Sequence, residues 1–259
     1  MPPDSPAPDL VAPDLVAPIR AEPDFSIVVP VFNEEGAAEA LALEIAAAFE
    51  GEAFEILFVD DASTDATRAR LAALKPRLPA LRLIGHARNA GQSRAIRTGV
   101  MAARAPIVVT LDGDGQNDPA DAPRLARALR DGSPRLGLIG GLRLRRRDSL
   151  AKRLASRVGN GVRDWLLKDG AADTGCGLKV FRREAFLRLP YFDHLHRFLP
   201  ALFRREGYDL AFEPVGHRPR TSGASKYTNL GRLFASAPDL FGMMWLQSRA
   251  RDPGAAEEV

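Results

Sequence analysis

The sequence predicts an α/β domain, a doubly wound, mostly parallel sheet with helices on both faces. Three observations carry that expectation. Apolar, β-branched runs alternate four times with helix-forming segments between residues 25 and 132. The runs are apolar throughout, as strands covered on both faces are, instead of alternating with polar residues. Three of them end in polar clusters, Asn33-Glu34, Asp60-Asp61 and Asp112-Gly113-Asp114, at the strand ends where open α/β sheets bind ligands.

Each element follows from its own residues. FSIVVPVF (25–32) reads as a strand, and EEGAAEALALEIAAAFE after it as an Ala-rich helix. FEILFVDD (54–61) is the second strand; in DASTDATRARLAAL, Ser63 or Thr64 is the expected N-cap of the next helix. LRLIGH (81–86) is the third strand and NAGQSRAIRTGVMAA the helix that follows. APIVVTLD (105–112) is the fourth, and DPADAPRLARALRDG a helix that Asn117 and Asp118 are placed to cap, with Pro119 near its start and Gly132 at its stop. Beyond it, residues 135–168 begin as a strand and become a basic amphipathic stretch. GLKVFR (177–182) and DLAFEPV (209–215) read as strands, HRFLPALFRREG (196–207) as a helix, and GHRPRTSGASKYT as a basic loop. An apolar helix or helix pair closes the fold.

Composition bounds the whole. Of 259 residues, 46% are hydrophobic and 27% charged, the balance of a globular chain with a real core. Net charge is +3 and the pI about 9.3, with the basic residues unevenly placed. The single cysteine, Cys176, excludes an internal disulfide and any multi-cysteine zinc site, and points to a reducing compartment, the cytoplasm. Residues 1–23, dense in Pro and Asp with "APDLV" repeated, are expected to form a disordered tail and lack the basic and apolar regions of a signal peptide. The expected domain runs over 24–235, followed by a C-terminal apolar helix and tail over 236–259. Its longest apolar run, Leu233 to Leu246, is broken by Pro238 and Asp239 and falls short of the roughly 20 residues of a membrane span.

The stretch VVTLDGDGQNDP (108–119) demands the closest reading. In extended backbone, residues two apart project to one side, so Asp112 and Asp114 face a single ligand, and Gly113 permits close approach. Hard oxygen donors suit Mg²⁺ or Mn²⁺ held by one or two carboxylates plus substrate phosphates, with the Gln116 amide oxygen as a third donor.

The neighbours of that pair match as well. "SIVVPVFNEE", "EILFVDDASTD", "RNAGQSRAIRTG", "VTLDGDGQNDP" and "TSGASKYT" together resemble the GT-A family 2 glycosyltransferases, within them the dolichyl-phosphate mannose synthase and bacterial polyprenyl-phosphate glycosyltransferase group, over residues 25–235. The resemblance implies a GT-A fold and assigns roles. Pro30, Phe32 and Glu34 match the segment that touches the nucleotide, with Phe in place of the usual Tyr; Val59 and Asp61 match base and ribose contacts. Asp112, Gly113, Asp114 and Gln116 match the D-x-D-x-Q site for metal and diphosphate. Arg143 matches an arginine that binds substrate phosphate, and Arg220 and Lys226 a pair on a loop that closes over the phosphates, which with Asp114 are the candidate catalytic groups. The segment Asp173–Glu184 departs from the family pattern: Thr174, Gly175 and the aliphatic strand are kept, but Cys176-Gly177 precede Leu178. Cys176 reads as a small buried residue and His196 as a packing or acceptor-site residue.

The implied activity is metal-dependent transfer of a hexose, mannose or glucose, from a nucleoside-diphosphate sugar to a polyprenyl phosphate, with inversion. The acceptor half leaves a polysaccharide or soluble acceptor as the alternative, and a non-catalytic sugar-nucleotide-binding module as a further one. The basic residues lack interleaved exposed aromatics, so nucleic acid is not an expected partner. Peripheral contact with the cytoplasmic face of the membrane is expected through the basic 143–168 stretch and through Phe241 and Trp245, unless the C-terminal helix packs wholly in the core.

Overall fold

A computed structural model describes residues 22–143, 161, 166–171, 173–219 and 229–251. Most of the expected N-terminal tail, the bulk of the basic 143–168 stretch, Arg220, Lys226 and the chain end from 252 lie outside the described residues.

Seven strands form one sheet in the order β3-β2-β1-β4-β6-β5-β7. Strands β1 (Phe25–Val31), β2 (Phe54–Asp60), β3 (Leu81–Gly85) and β4 (Ile107–Thr110) are mutually parallel where they pair. β5 (Leu136–Arg143) and β7 (Asp209–Val215) pair parallel to each other, and the four-residue β6 (Lys179–Arg182) runs antiparallel between β4 and β5. The helices are α1 (Ala38–Ala48), α2 (Thr67–Leu74), α3 (Gln92–Ala102), α4 (Ala122–Arg130), α5 (Arg183–Arg188), α6 (Leu199–Arg205) and α7 (Asn229–Ser248).

Continuous apolar strands make a sheet with two buried faces, because successive side chains point to opposite sides. Phe25, Ile27, Val29, Ile56, Phe58, Ile107 and Val109 pack under α1, α2 and α4 on one face. Val28, Leu57, Val108 and Phe181 pack on the other, with α3, α5, α6 and Met243 of α7. At the amino end of the central strands the buried Glu55 is fully engaged: Ser26 Oγ donates to it at 2.7 Å, the Arg104 amide at 2.7 Å and Arg82 at 2.5 Å.

The chain leaves β1 toward β2 and β3 and then returns to place β4 on the other side of β1. Strand order reverses there, so the carboxyl ends of β1 and β4 flank the crevice where such sheets take ligands. α7 runs unbroken from Asn229 to Ser248 with Pro238 inside it, across the expected boundary at 235.

Two capping expectations are corrected. α2 starts at Thr67 with no side-chain cap; Asp65 Oδ1 accepts from the Thr67 amide at 3.0 Å, while Ser63 and Thr64 are drawn off to the loop after β1. Asp118 does cap the 3₁₀ turn Pro119–Asp121, but Asn117 Oδ1 accepts from the Asp112 amide at 3.0 Å and so braces the loop before it.

Candidate active site

The rim is built first by two loops that hold each other. Asn33 and Ala62, which directly follow the region of β1 and β2, sit at φ 56° and 63°. For Ala62 that left-handed conformation costs about 1–2 kcal/mol, and strain of this kind persists only where surroundings enforce it. They do so here: Ser63 Oγ accepts from the Asn33 amide at 3.0 Å and Asn33 Oδ1 from the Thr64 amide at 2.8 Å. Thr67 Oγ1 accepts from the Glu34 amide at 2.9 Å, and Glu35 Oε2 from the Ala66 amide at 3.0 Å. The P-V-F-N-E segment is thereby fixed on the β2 loop.

The two acids at the end of β2 divide their work. Asp60 is fully buried and takes Arg68 Nε at 2.5 Å and the Ser63 amide at 3.2 Å. Asp61 accepts from the amides of Ala90 and Gly91 at 2.9 and 2.8 Å and lies 2.7 Å from His86 Nδ1. A carboxylate only accepts, so His86 Nδ1 carries the proton in that contact. Asp61 thus anchors the N-A-G-Q turn that starts α3, and Gln92 of that turn donates from Nε2 to Asp112 Oδ1 at 2.8 Å.

Asp112 stands at the centre. A Cβ on Gly113 would lie 2.6 Å from Val31 Cγ1 and 2.8 Å from the Pro30 carbonyl oxygen, so only glycine lets this loop close onto the end of β1. That contact brings Asp112 and Asp114 beside the PVFNE segment. Asp114 Oδ1 accepts from the Gln116 amide at 3.1 Å. Burial, and then the nearby Asp114, push the Asp112 carboxyl above the ordinary carboxylate range, while Lys179, Gln92 and Arg143 pull it back. The like charge of Asp114 thus adds to the cost of ionising Asp112.

Under and beside Asp112 lies the turn 173–177. Arg143, at the end of β5, makes a bidentate pair with Asp173, with both contacts at 2.7 Å and side chains 13% and 8% exposed. Lys179 at the start of β6 is buried and donates to the carbonyls of Thr174, at 3.3 Å, and Cys176. Burial lowers the Lys179 pKa; Cys176, Asp112 and Asp173 oppose that shift. Cys176 is buried, and burial pushes its thiol up, which fits a packed side chain and not a nucleophile.

On the far side, residues 216–219 lie over the same loop. Asn117 forms an antiparallel bridge with His217, the Arg218 amide donates to the Gln116 carbonyl at 2.9 Å, and Arg218 pairs with Glu44 at 2.6 Å and Asp118 at 2.7 Å. The chain is therefore fastened to the D-x-D-x-Q loop immediately before the stretch that carries Arg220 and Lys226.

Of the residues singled out from sequence, Pro30, Glu34, Asp61, Asp112, Gly113, Asp114, Gln116 and Arg143 are gathered along this rim. Val59 is buried within β2 beneath it. Four contributors were missed: Gln92, Asn117, Asp173 and Lys179. Gln92 sits in RNAGQSRAIRTG, a segment that carried the resemblance without a role for this residue; Asn117 was read as a helix cap; Asp173 and Lys179 both sit in the segment that departs from the family pattern.

The comparisons with known proteins agree with this geometry. The profile of glycosyl transferase family 2 matches residues 26–189. A dodecaprenyl-phosphate galacturonate synthase of Rhizobium johnstonii is 34% identical over 238 residues, covering 89% of this chain and 69% of the relative. An undecaprenyl-phosphate 4-deoxy-4-formamido-L-arabinose transferase of Edwardsiella ictaluri is 34% identical over 209 residues, covering 78% of this chain and 62% of the relative. The chain therefore spans about two thirds of the length of these relatives. Among solved structures, glucosyl-3-phosphoglycerate synthase of Mycobacterium tuberculosis with Mn²⁺, UDP and glucosyl-3-phosphoglycerate superposes with a TM-score of 0.66 at 20% identity, covering 90% of this chain and 82% of that one. The same enzyme is also solved with Mg²⁺ and UDP. The fold is that of the GT-A glycosyltransferases, and the chain belongs to glycosyl transferase family 2.

Proposed function

We propose that this chain transfers a sugar from a nucleoside-diphosphate donor to a polyprenyl phosphate, with inversion at the anomeric carbon. The observation that carries this reading is the carboxylate pair Asp112 and Asp114 at the sheet's switch point, held by Gln92, Asn117 and the Gln116 amide, with the Asp112 carboxyl pushed up by burial and by its neighbour. The names of the two curated relatives support the lipid-phosphate acceptor.

Asp112, Asp114 and the Gln116 side-chain oxygen fit Mg²⁺ or Mn²⁺: the donors are all hard oxygens, and the two carboxylates act on each other strongly enough to push the Asp112 carboxyl up. A divalent ion bound there supplies charge neutralisation for a departing diphosphate. The chain's own residues do the rest. PVFNE and the β2 loop, locked together, form the wall expected to receive the nucleotide. Gln92 and Asn117 hold the Asp112 loop. Asp173 orients Arg143 toward phosphate, and Arg220 and Lys226 are the further cations proposed to hold diphosphate and acceptor. The acceptor phosphate is already anionic near neutral pH, so alignment and charge carry the rate and no strong base is required.

The finer expectation was mannose or glucose. The relatives' names carry galacturonate and 4-deoxy-4-formamido-L-arabinose instead, so the sugar is proposed only as one activated by a nucleoside diphosphate. The test is a panel of GDP-mannose, UDP-glucose, UDP-galacturonate and the UDP-aminoarabinose derivative, with undecaprenyl phosphate and Mn²⁺ or Mg²⁺, reading out glycolipid. One donor giving a lipid product is expected. Transfer to water-soluble acceptors alone would replace the lipid reading with the soluble-acceptor one.

Contact with the cytoplasmic face of the membrane is part of the proposal. Among the described residues no helix is long and apolar enough to cross a bilayer. α7 instead has two faces. Met243 is 1% exposed in the core, while Phe241 and Trp245, one turn apart, are 69% and 60% exposed, with the Arg249 guanidinium 5.8 Å from the Trp245 ring. An aromatic pair beside a cation suits a headgroup boundary.

A further inference from the structure

We propose that Lys179 is a positioning residue for the sugar-nucleotide site: its ammonium closes the turn 173–177 into the seat on which the Asp112 carboxylate rests. The inference depends on the reading of Asp112 as a metal and diphosphate ligand.

Two independent features define the seat. The first is the fit at Gly177. A Cβ there would lie 2.2 Å from Asp112 Oδ2 and 2.3 Å from its carboxyl carbon, so the carboxylate lies directly against a bare Cα. The second is the tie beneath it. Lys179 gathers the Thr174 and Cys176 carbonyls, while Thr110 Oγ1, two residues before Asp112, donates to the Gly177 carbonyl at 2.9 Å. Lys179 is also in register with Thr110 on one side and Gly140 on the other. At the other end of the turn, Asp173 grips Arg143 of β5. The turn therefore spans the ends of β4 and β5, and Lys179 is the side chain that closes it.

A buried ammonium is an expensive way to fill this space. An apolar side chain of similar length would carry no charge-desolvation cost, but it would leave the Thr174 and Cys176 carbonyls without this donor. What the cation provides is a directed hold on two carbonyls of the turn that supports a ligand carboxylate. Partners of this outer kind set metal affinity, and their loss typically costs about 10–100-fold.

The test is Lys179→Met, with Lys179→Gln as a shorter donor able to keep one carbonyl. Mn²⁺ binding is measured on the whole chain by electron paramagnetic resonance, without substrate, beside donor KM, kcat and the thermal melt of the metal-free protein. The proposal expects Mn²⁺ affinity to fall and donor KM to rise by about 10–100-fold in Lys179→Met, less in Lys179→Gln, with kcat at saturating donor reduced far less and the metal-free protein still folding cooperatively. Gly177→Ala should show the same defect, and the double variant should lose no more than the worse single. Unchanged Mn²⁺ affinity in a folded Lys179→Met overturns the proposal. So does tighter binding, which would make Lys179 a mere competitor of the metal, and so do additive losses in the double variant. If Lys179→Met does not fold, Lys179→Gln decides by the same readouts. Wild-type protein that binds no Mn²⁺ and gives no product would instead overturn the reading of Asp112 itself, so the two failures are distinguishable.

Discussion

Arg143 and Asp173 illustrate how much a single side chain depends on its partner. Both are nearly buried and joined by two 2.7 Å contacts. Removing one partner from such a pair strands the other charge and costs about 3–5 kcal/mol. Asp173→Ala should therefore lose stability of that order in urea denaturation, and the double change Asp173→Leu with Arg143→Met should recover most of it. No loss in the single variant would mean that the pair is not formed. The resemblance singled out Arg143 as a candidate phosphate ligand, but its partner lies thirty residues on, in a segment off the family pattern, and nothing local announced it. His196 gives the residue-scale pH prediction. The Ser93 hydroxyl accepts from the His196 amide at 3.3 Å and lies 2.7 Å from the ring Nδ1. Burial, then Lys179, Arg197 and His194, hold its pKa well below the ordinary 6.5. The unfolded chain then binds a proton that the folded chain refuses, so stability falls as pH drops from about 6.5 toward the folded pKa. His196→Gln should flatten that part of the melting-temperature profile between pH 7 and 5; an unchanged slope would contradict the assignment.

At the scale of elements, the amino end of α3 is the joint of the site. Its first residues hold Asp61 by backbone amides, Asp112 through Gln92 and His196 through Ser93, so three strand and helix ends meet on one turn. The strands around it were readable because a buried parallel sheet leaves a continuous apolar run, and the rim acids because they interrupt those runs abruptly. The antiparallel β6 was readable as a strand but not in its direction, since Lys179–Arg182 is only four residues long and pairing is settled by contacts far along the chain. Loop clamps were invisible for the same reason: Ser63 and Thr64 looked like helix caps, and only the approach of the β1 loop recruits them elsewhere. Gly113 tests whether the β4 loop must close onto β1. Gly113→Ala places a methyl 2.6 Å from Val31 Cγ1, an overpacking expected to cost about 1–3 kcal/mol and to raise donor KM. A variant with wild-type melting temperature and KM would show that the loop closes without that contact.

For the whole molecule, the proposed function places a donor site at the sheet's switch point and would have a membrane surface bring the acceptor to it. Phe241 and Trp245 stand out from α7 while Met243 holds that helix to the core. If each aromatic contributes about 1.5 kcal/mol on entering the headgroup boundary, Phe241→Ser with Trp245→Ser should weaken co-sedimentation with anionic vesicles by about a hundredfold. Unaltered binding would remove α7 from the membrane contact. The donor half of this picture rests most directly on Asp114. In a transfer assay with the active donor, undecaprenyl phosphate and Mn²⁺, Asp114→Ala should lose at least about 10²–10³-fold in rate while keeping the wild-type circular dichroism and melting temperature. A folded Asp114→Ala protein that forms glycolipid at the wild-type rate would contradict the central claim.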